Sequence, residues 1–199
     1  MKNNRAEIIE QNMKNGLDAG VIQLTLEDES VDGRFINVNQ RKCVNFASCS
    51  YLGLELDSRI LQAIMIATQK YGSQFSSSRA YLSITLYREV EERLRQICKR
   101  PVIIGPSTTM MHQSAIPVMV EDGDAVILDQ QVHNSVMAAC RALAVRGVPI
   151  ALSPHNHMER LDRRIQRLKP KYRKVWYFMD GLYSMVGDFA PCKRTGNAS

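Results

Sequence analysis

Apolar positions recur along this chain with two different rhythms, and the second half is the more regular. Near the start, Ile8, Ile9 and Met13 predict a short helix over residues 2–15 that is otherwise polar, an arm in character. Residues 34–38 and 43–47 predict two short strands separated by the polar turn 39–42. Asp57 is placed as an N-cap before Ile60, Leu61, Ile64 and Ala67, a helical stripe that ends near Tyr71-Gly72. Residues 72–80, with Ser73, Ser76, Ser77 and Ser78, predict a loop of small residues. Leu86, Val90, Leu94 and Ile97 then line one side of a helix over 85–98, with Glu–Arg pairs on the other.

Beyond that helix, short apolar runs alternate with helical stripes. The runs are 102–104, 125–128, 148–152 and 175–179. Between them lie helices over 108–120 and 133–146, the latter with Val136, Ala139, Cys140, Leu143 and Ala144 on its inner face. A third is opened by Asn156 and Glu159, an approximate capping box with Asn in the Ser/Thr place. Strand, helix, strand, helix, strand, helix, strand predicts an α/β fold with a mostly parallel sheet covered by helices.

Composition narrows this picture. Of 199 residues, 45% are hydrophobic and 23% charged, an ordinary globular balance that excludes a disordered or fibrous chain. No apolar run approaches the roughly 20 residues of a membrane span, and residues 1–10 are too polar for a signal peptide. Five cysteines are scattered, with no Cys-x-x-Cys pair, so reduced thiols in a cytoplasmic protein are expected. The net charge is +6, and residues 159–174 hold that whole excess, with eight basic and two acidic side chains. Leu161, Ile165 and Leu168 recur at helical spacing within it. An amphipathic helix with a solvated basic face therefore ranks above a nucleic-acid-binding surface.

Ligands of parallel sheets bind beyond the carboxyl ends of the strands, so the residues after each apolar run are the candidates for chemistry. Ser107, Thr108 and Thr109 open a helix, where free N–H groups and hydroxyls suit an anion such as phosphate; they also suit a plain N-cap. His133 opens the next helix, as a cap or as a ligand contact. Asp180, Gly181 and Ser184 follow 175–179 as a polar loop or an ordinary turn. Parallel strands bring these three loops to one rim. There is no Gly-x-Gly-x-x-Gly, no Gly-Lys-Ser/Thr phosphate loop and no Gly-x-Ser-x-Gly elbow. His155-x-His157 has no Cys or third ligand beside it, so no metal site is expected.

The order of motifs resembles one family. Asn45-Phe46-Ala47-Ser48-Cys49-Ser50-Tyr51-Leu52-Gly53-Leu54 is similar to the "N-F-x-x-N-x-Y-L-G-L" segment of the α-oxoamine synthases. These are pyridoxal-phosphate (PLP) enzymes of the class I/II aminotransferase fold that include 8-amino-7-oxononanoate synthase and serine palmitoyltransferase. The resemblance continues through the Ser-rich loop and the 86–91 helix segment. Residues 129–135 are similar to "D-x-x-x-H-A-S", and residues 180–191 to "E-G-V-F-S-M-D-G-D-x-A-P". It implies part of a fold-type I PLP-dependent large domain. The domain plan becomes 1–44 as arm and short hairpin, 45–193 as incomplete PLP-binding domain, and 194–199 as a tail outside the family pattern.

The resemblance also implies roles. His133 would stack on the cofactor ring, Thr108 and Thr109 would line the cofactor near its phosphate, and the Ser184 hydroxyl would reach the cofactor. A homodimer with sites at the subunit interface is implied, with loop 76–79 serving the neighbour. The implied activity condenses an amino acid with an acyl thioester, or transfers an amino group; the substrate is a small molecule. Departures are Thr108-Thr109 in place of Gly-aromatic, Cys49 in place of Asn, and Tyr87 in place of a common His. The family continues with "D-D-A-H" and a lysine, which carry the pyridinium contact and the Schiff base. Lys169, Lys171 and Lys174 lie in the basic window away from the rim, and Lys193 follows the last motif directly. No catalytic residue is therefore assigned. The expected reading is the N-terminal portion of such an enzyme, inactive as it stands; the alternative is a non-catalytic remnant that pairs with an intact paralogue.

Overall fold

In the computed structural model, which describes residues 5–75 and 77–191, the chain forms two units, one ending at Ile84 and the other starting at Thr85. Ser76, Lys193 and the tail 194–199 lie outside the described residues.

The first unit holds α1 (Arg5–Asp18), the antiparallel pair β1 (Phe35–Val38) and β2 (Arg41–Val44), and α2 (Ser58–Tyr71). The turn between the strands is shorter than its polar stretch implies. Asn39 and Gln40 take φ of 50° and 59°, the left-handed pair of a two-residue hairpin, so β2 starts at Arg41 and ends at Val44 rather than spanning 43–47. Asp57 caps α2 as its position predicts, its carboxylate accepting the Arg59 N–H at 2.9 Å.

The second unit holds α3 (Thr85–Cys98), α4 (Thr108–Met119), β3 (Ala125–Asp129), α5 (Asn134–Val145), β4 (Ile150–Ser153), α6 (Met158–Leu168) and β5 (Val175–Phe178). Its strands form a parallel sheet in the order β4-β3-β5, with Val126 opposite both Ile150 and Trp176. Every residue of β3 is buried. Side chains alternate across it. Val126 and Leu128 join Ile116, Val120, Val136, Ala139, Cys140 and Leu143 of α4 and α5 in the core, while Ile127 and Asp129 face the other way. Burying each such aliphatic side chain contributes about 1.5–3 kcal/mol, so the core concentrates around this strand. The crossovers β3–α5–β4 and β4–α6–β5 run in opposite directions along the sheet. Right-handed connection then puts α5 and α6 on opposite faces, which is why buried Leu161 of α6 lies outside that cluster.

Two expectations are corrected. Residues 102–104 are not a strand: no described strand pairs with them, and the Ile104 N–H is bonded at 3.0 Å to the Glu91 carboxylate of α3. The Asn156 capping box does not form either. Asn156 sits at φ 49° with its amide donating to Asp188 (2.9 Å) and the Phe189 carbonyl (3.2 Å), and His157 caps α6 instead. The basic window becomes α6, with Leu161 buried, Arg160, Arg163 and Arg167 exposed and Arg164 half-buried, followed by 169–174 at the amino end of the sheet.

That amino end is pinned by Asp124. Its buried carboxylate accepts both Arg173 Nε (2.9 Å) and Nη2 (3.0 Å), together with Trp176 Nε1 (2.8 Å). Burial works against the charge, yet the Trp176, Glu121 backbone and Arg173 donors outweigh it and hold the carboxyl at about 2. Among the described residues no helix is long and apolar enough to cross a membrane.

Candidate functional site at the carboxyl ends of the strands

His133 terminates the segment that leaves β3 and caps α5. Its backbone N–H donates to Asp180 Oδ2 at 2.9 Å, which ties it to the loop after β5. Its ring Nδ1 accepts the Ser135 N–H at 3.2 Å, so that nitrogen carries a lone pair. Ser135 Oγ, 2.6 Å from the same nitrogen, must therefore donate its one proton there. His112 Nδ1 of α4 lies 2.9 Å from that oxygen, and with its proton committed the oxygen can only accept. His112 is thus protonated on Nδ1 and His133 on Nε2. Among the described residues no hydrogen bond engages the His133 Nε2–H.

Thr108 precedes His112 by one helical turn and shares its face of α4. Ser107 caps that helix by accepting the Met110 N–H at 3.2 Å. Thr108 and Thr109 are exposed, and as first-turn residues their N–H groups have no helical acceptor. An anion would find two amides and two hydroxyls there.

Ser184 lies exposed at the tip of a small hairpin, closed by a Leu182–Phe189 bridge and by Gly187 N–H donating to the Tyr183 carbonyl at 2.8 Å. No hydrogen bond joins it to His133 or to α4 among the described residues. Asp180, four residues earlier in the same loop, makes the contact to His133 instead. The rim therefore joins His133, Ser135, His112 and Asp180, with Thr108 and Thr109 at the same end of α4.

Alongside, buried Asp129 at the end of β3 accepts four donors: Gln131 N (2.8 Å), His155 Nδ1 (2.8 Å), Tyr177 Oη (2.9 Å) and Asn156 N (3.3 Å). Burial alone would raise its pKa, but these donors hold the carboxyl below the usual range. His155 Nε2 faces Asp188 at 3.0 Å, and the Tyr183 and His155 rings meet in a T-shaped contact with centroids 4.3 Å apart. Hydrogen bonds to Asp129 and then Asp188 raise the His155 pKa. Burial, then Asp129, pushes the Tyr183 phenol up to about 12, so it stays protonated at neutral pH. His155 and His157 are thus no chelating pair: one lies between carboxylates and the other caps a helix. Among the described residues no cluster of metal ligands forms.

Residues 41–195 match the family model "Aminotransferase class I and II". The chain is 31% identical over 180 residues to an 8-amino-7-oxononanoate synthase of Symbiobacterium thermophilum, covering 89% of this chain and 45% of that protein. A second 8-amino-7-oxononanoate synthase, from Thermoanaerobacter pseudethanolicus, is 27% identical over 186 residues, covering 92% of this chain and 46% of its own. Among solved structures, a serine palmitoyltransferase from S. paucimobilis with bound PLP–myriocin aldimine superposes with a TM-score of 0.80 at 26% identity. It covers 92% of this chain and 46% of that one. The Sphingomonas wittichii serine palmitoyltransferase, at 23% identity, covers 96% of this chain and 48% of its own with a TM-score of 0.81, a likeness of fold. The chain spans about half the length of the curated relatives it matches.

Proposed function

Because the chain belongs to the aminotransferase class I and II family, in its α-oxoamine synthase branch, we propose that it contributes the cofactor-holding rim of a PLP-dependent transferase. Its sheet and helices are part of the fold-type I architecture of PLP-dependent enzymes. The proposed reaction condenses an amino acid with an acyl thioester; transfer of an amino group is the related alternative.

The donor set fits such a cofactor, a flat aromatic ring bearing a phosphate. His133 would hold the ring against its imidazole face, since its Nδ1 is already committed to Ser135. The open first turn of α4, with Thr108 and Thr109, would take the phosphate, and the Ser184 hydroxyl would reach the ring substituents. When bound, PLP supplies an electron sink for charge developing at the amino acid's α-carbon. The protein's part is orientation: His133 fixes the ring plane, α4 holds the anionic end, and the Asp129 network steadies the loops around both. We assign none of these 199 residues to the Schiff base or the pyridinium contact. A homodimer is part of the proposal, with loop residues 77–79 facing the neighbour. The cytoplasm is the proposed location, in keeping with free thiols at Cys43, Cys49, Cys98 and Cys140.

The observation that carries the reading is the double tether of His133, its N–H on Asp180 and its ring on Ser135, which fixes one imidazole between the loops after β3 and β5. Titration with pyridoxal 5′-phosphate tests it. His133→Ala should weaken binding about fivefold, the worth of one aromatic stacking contact, with the far-UV dichroism unchanged. Equal affinity in the variant would contradict the assignment.

A further inference from the structure

We propose that His155 is a positioning residue for this site, fastening the 181–190 hairpin to the carboxyl end of the sheet by donating from both ring nitrogens, to Asp129 and to Asp188. The inference rests on the reading of Ser184 as a cofactor contact, because Ser184 rides at the tip of that hairpin.

The hairpin has little to hold it on its own. Internally it has one bridge, Leu182 with Phe189, and the bonds Tyr183 N to Asp188 O (2.9 Å), Gly187 N to Tyr183 O (2.8 Å) and Ala190 N to Gly181 O (3.3 Å). Isolated two-stranded hairpins are marginal in water. Its attachments converge on two consecutive residues after β4. Asn156 donates to Asp188 and to the Phe189 carbonyl, and His155 reaches Asp188 while its ring meets that of Tyr183 in a T-shaped contact.

Carboxylates only accept, so an imidazole facing one from each nitrogen must carry both protons. The groups facing it are Asp129 from β3, Asp188 and Tyr183 from the hairpin, and, through Asp129, Tyr177 of β5; Asp180 lies where the hairpin begins and bears on Tyr183. A neutral imidazole has one N–H and must give up one carboxylate. Buried Asp129 is the costlier one to strand, whereas the Asp188 side chain is 46% exposed and can turn to water. Deprotonation therefore loosens the hairpin and leaves it on the Asn156 bonds. The His155 pKa is raised in the folded chain. The clamp is thus complete below the unfolded value of about 6.5 and is lost as pH rises through the folded one.

The test is amide hydrogen exchange of Tyr183 and Gly187 relative to β3 in the 199-residue chain, run beside an NMR titration of His155. In wild type the hairpin should loosen, relative to β3, in step with His155 deprotonation. In His155→Gln its protection should be roughly tenfold lower at neutral pH, the scale of one charged hydrogen bond, and the pH step should vanish. If that variant also loses β3 protection, Asp188→Asn decides, since it leaves the Asp129 contact in place and should loosen the hairpin alone. Unchanged hairpin protection in Asp188→Asn, or a wild-type hairpin insensitive to His155 titration, overturns the proposal. Binding of pyridoxine 5′-phosphate is measured in parallel. Intact clamping without such binding overturns the cofactor reading alone, and binding with an unchanged hairpin in the variants overturns the clamp alone.

Discussion

Ser135 has one hydroxyl proton and two imidazoles beside it, and the backbone settles which receives it. Because the Ser135 N–H already points at His133 Nδ1, the hydroxyl must follow, and His112 is left to donate. Nitrogen-15 NMR should find His112 protonated on Nδ1, the less common tautomer of a free imidazole, and His133 on Nε2. Ser135→Ala should return His112 toward the common form and cost about 1 kcal/mol in chemical denaturation. A wild-type His112 protonated on Nε2 would contradict the relay. His133 was legible in the sequence because it follows an apolar run and opens a helical stripe. His112 was not: it sits inside a helix, and its partner is 23 residues away, so only the packing of α4 on α5 brings them together. His155 and His157 were legible as a pair but not in direction, since the φ of 49° at Asn156 turns their side chains to different tasks.

At the scale of elements, partners decided what patterns alone did not. Residues 102–104 and 125–128 are both short apolar runs, yet only the second finds a neighbour on each side. The bounds of α3 and the cap of α2 coincide with expectation because they depend on local spacing and one side chain. The β1–β2 turn differs because its length is set by backbone conformation at two residues rather than by polarity. Asp124 is the anchor whose loss should be felt across elements. Asp124→Asn removes one of the two carboxylates on Arg173, Glu121 keeping the other at 2.8 Å, and should lower the midpoint of urea unfolding. Its folded pKa of about 2 lies below the unfolded value of about 3.9. Its contribution is therefore complete above the unfolded value and fades as the pH falls toward 2. A variant with the wild-type acid-unfolding profile would refute that role.

Over the whole molecule, each unit leaves apolar surface uncovered. In the first, Ile64, Met65 and Ile66 of α2 are 55–59% exposed; in the second, Val118 is 81% and Met185 88% exposed. Exposed apolar side chains of this kind are available for association. Sedimentation should show a mass above 22.5 kDa that grows with concentration, as the proposed homodimer requires. A monomer at every concentration would speak against it. The family was legible from motif order, since each motif is a short run read in place. The rim's wiring was not, because the bonds that join its loops, His112 to Ser135 and His133 to Asp180, cross between elements.

The most direct measurement follows the four histidines by nitrogen-15 NMR while pyridoxine 5′-phosphate, which cannot react with lysines, is titrated into the chain. His133 should shift first and furthest, His112 should follow through Ser135, and His157, on the cap of α6, should stay still. Movement of His157 with His133 unmoved would place the phosphate at the basic helix and contradict a cofactor rim at the ends of the strands.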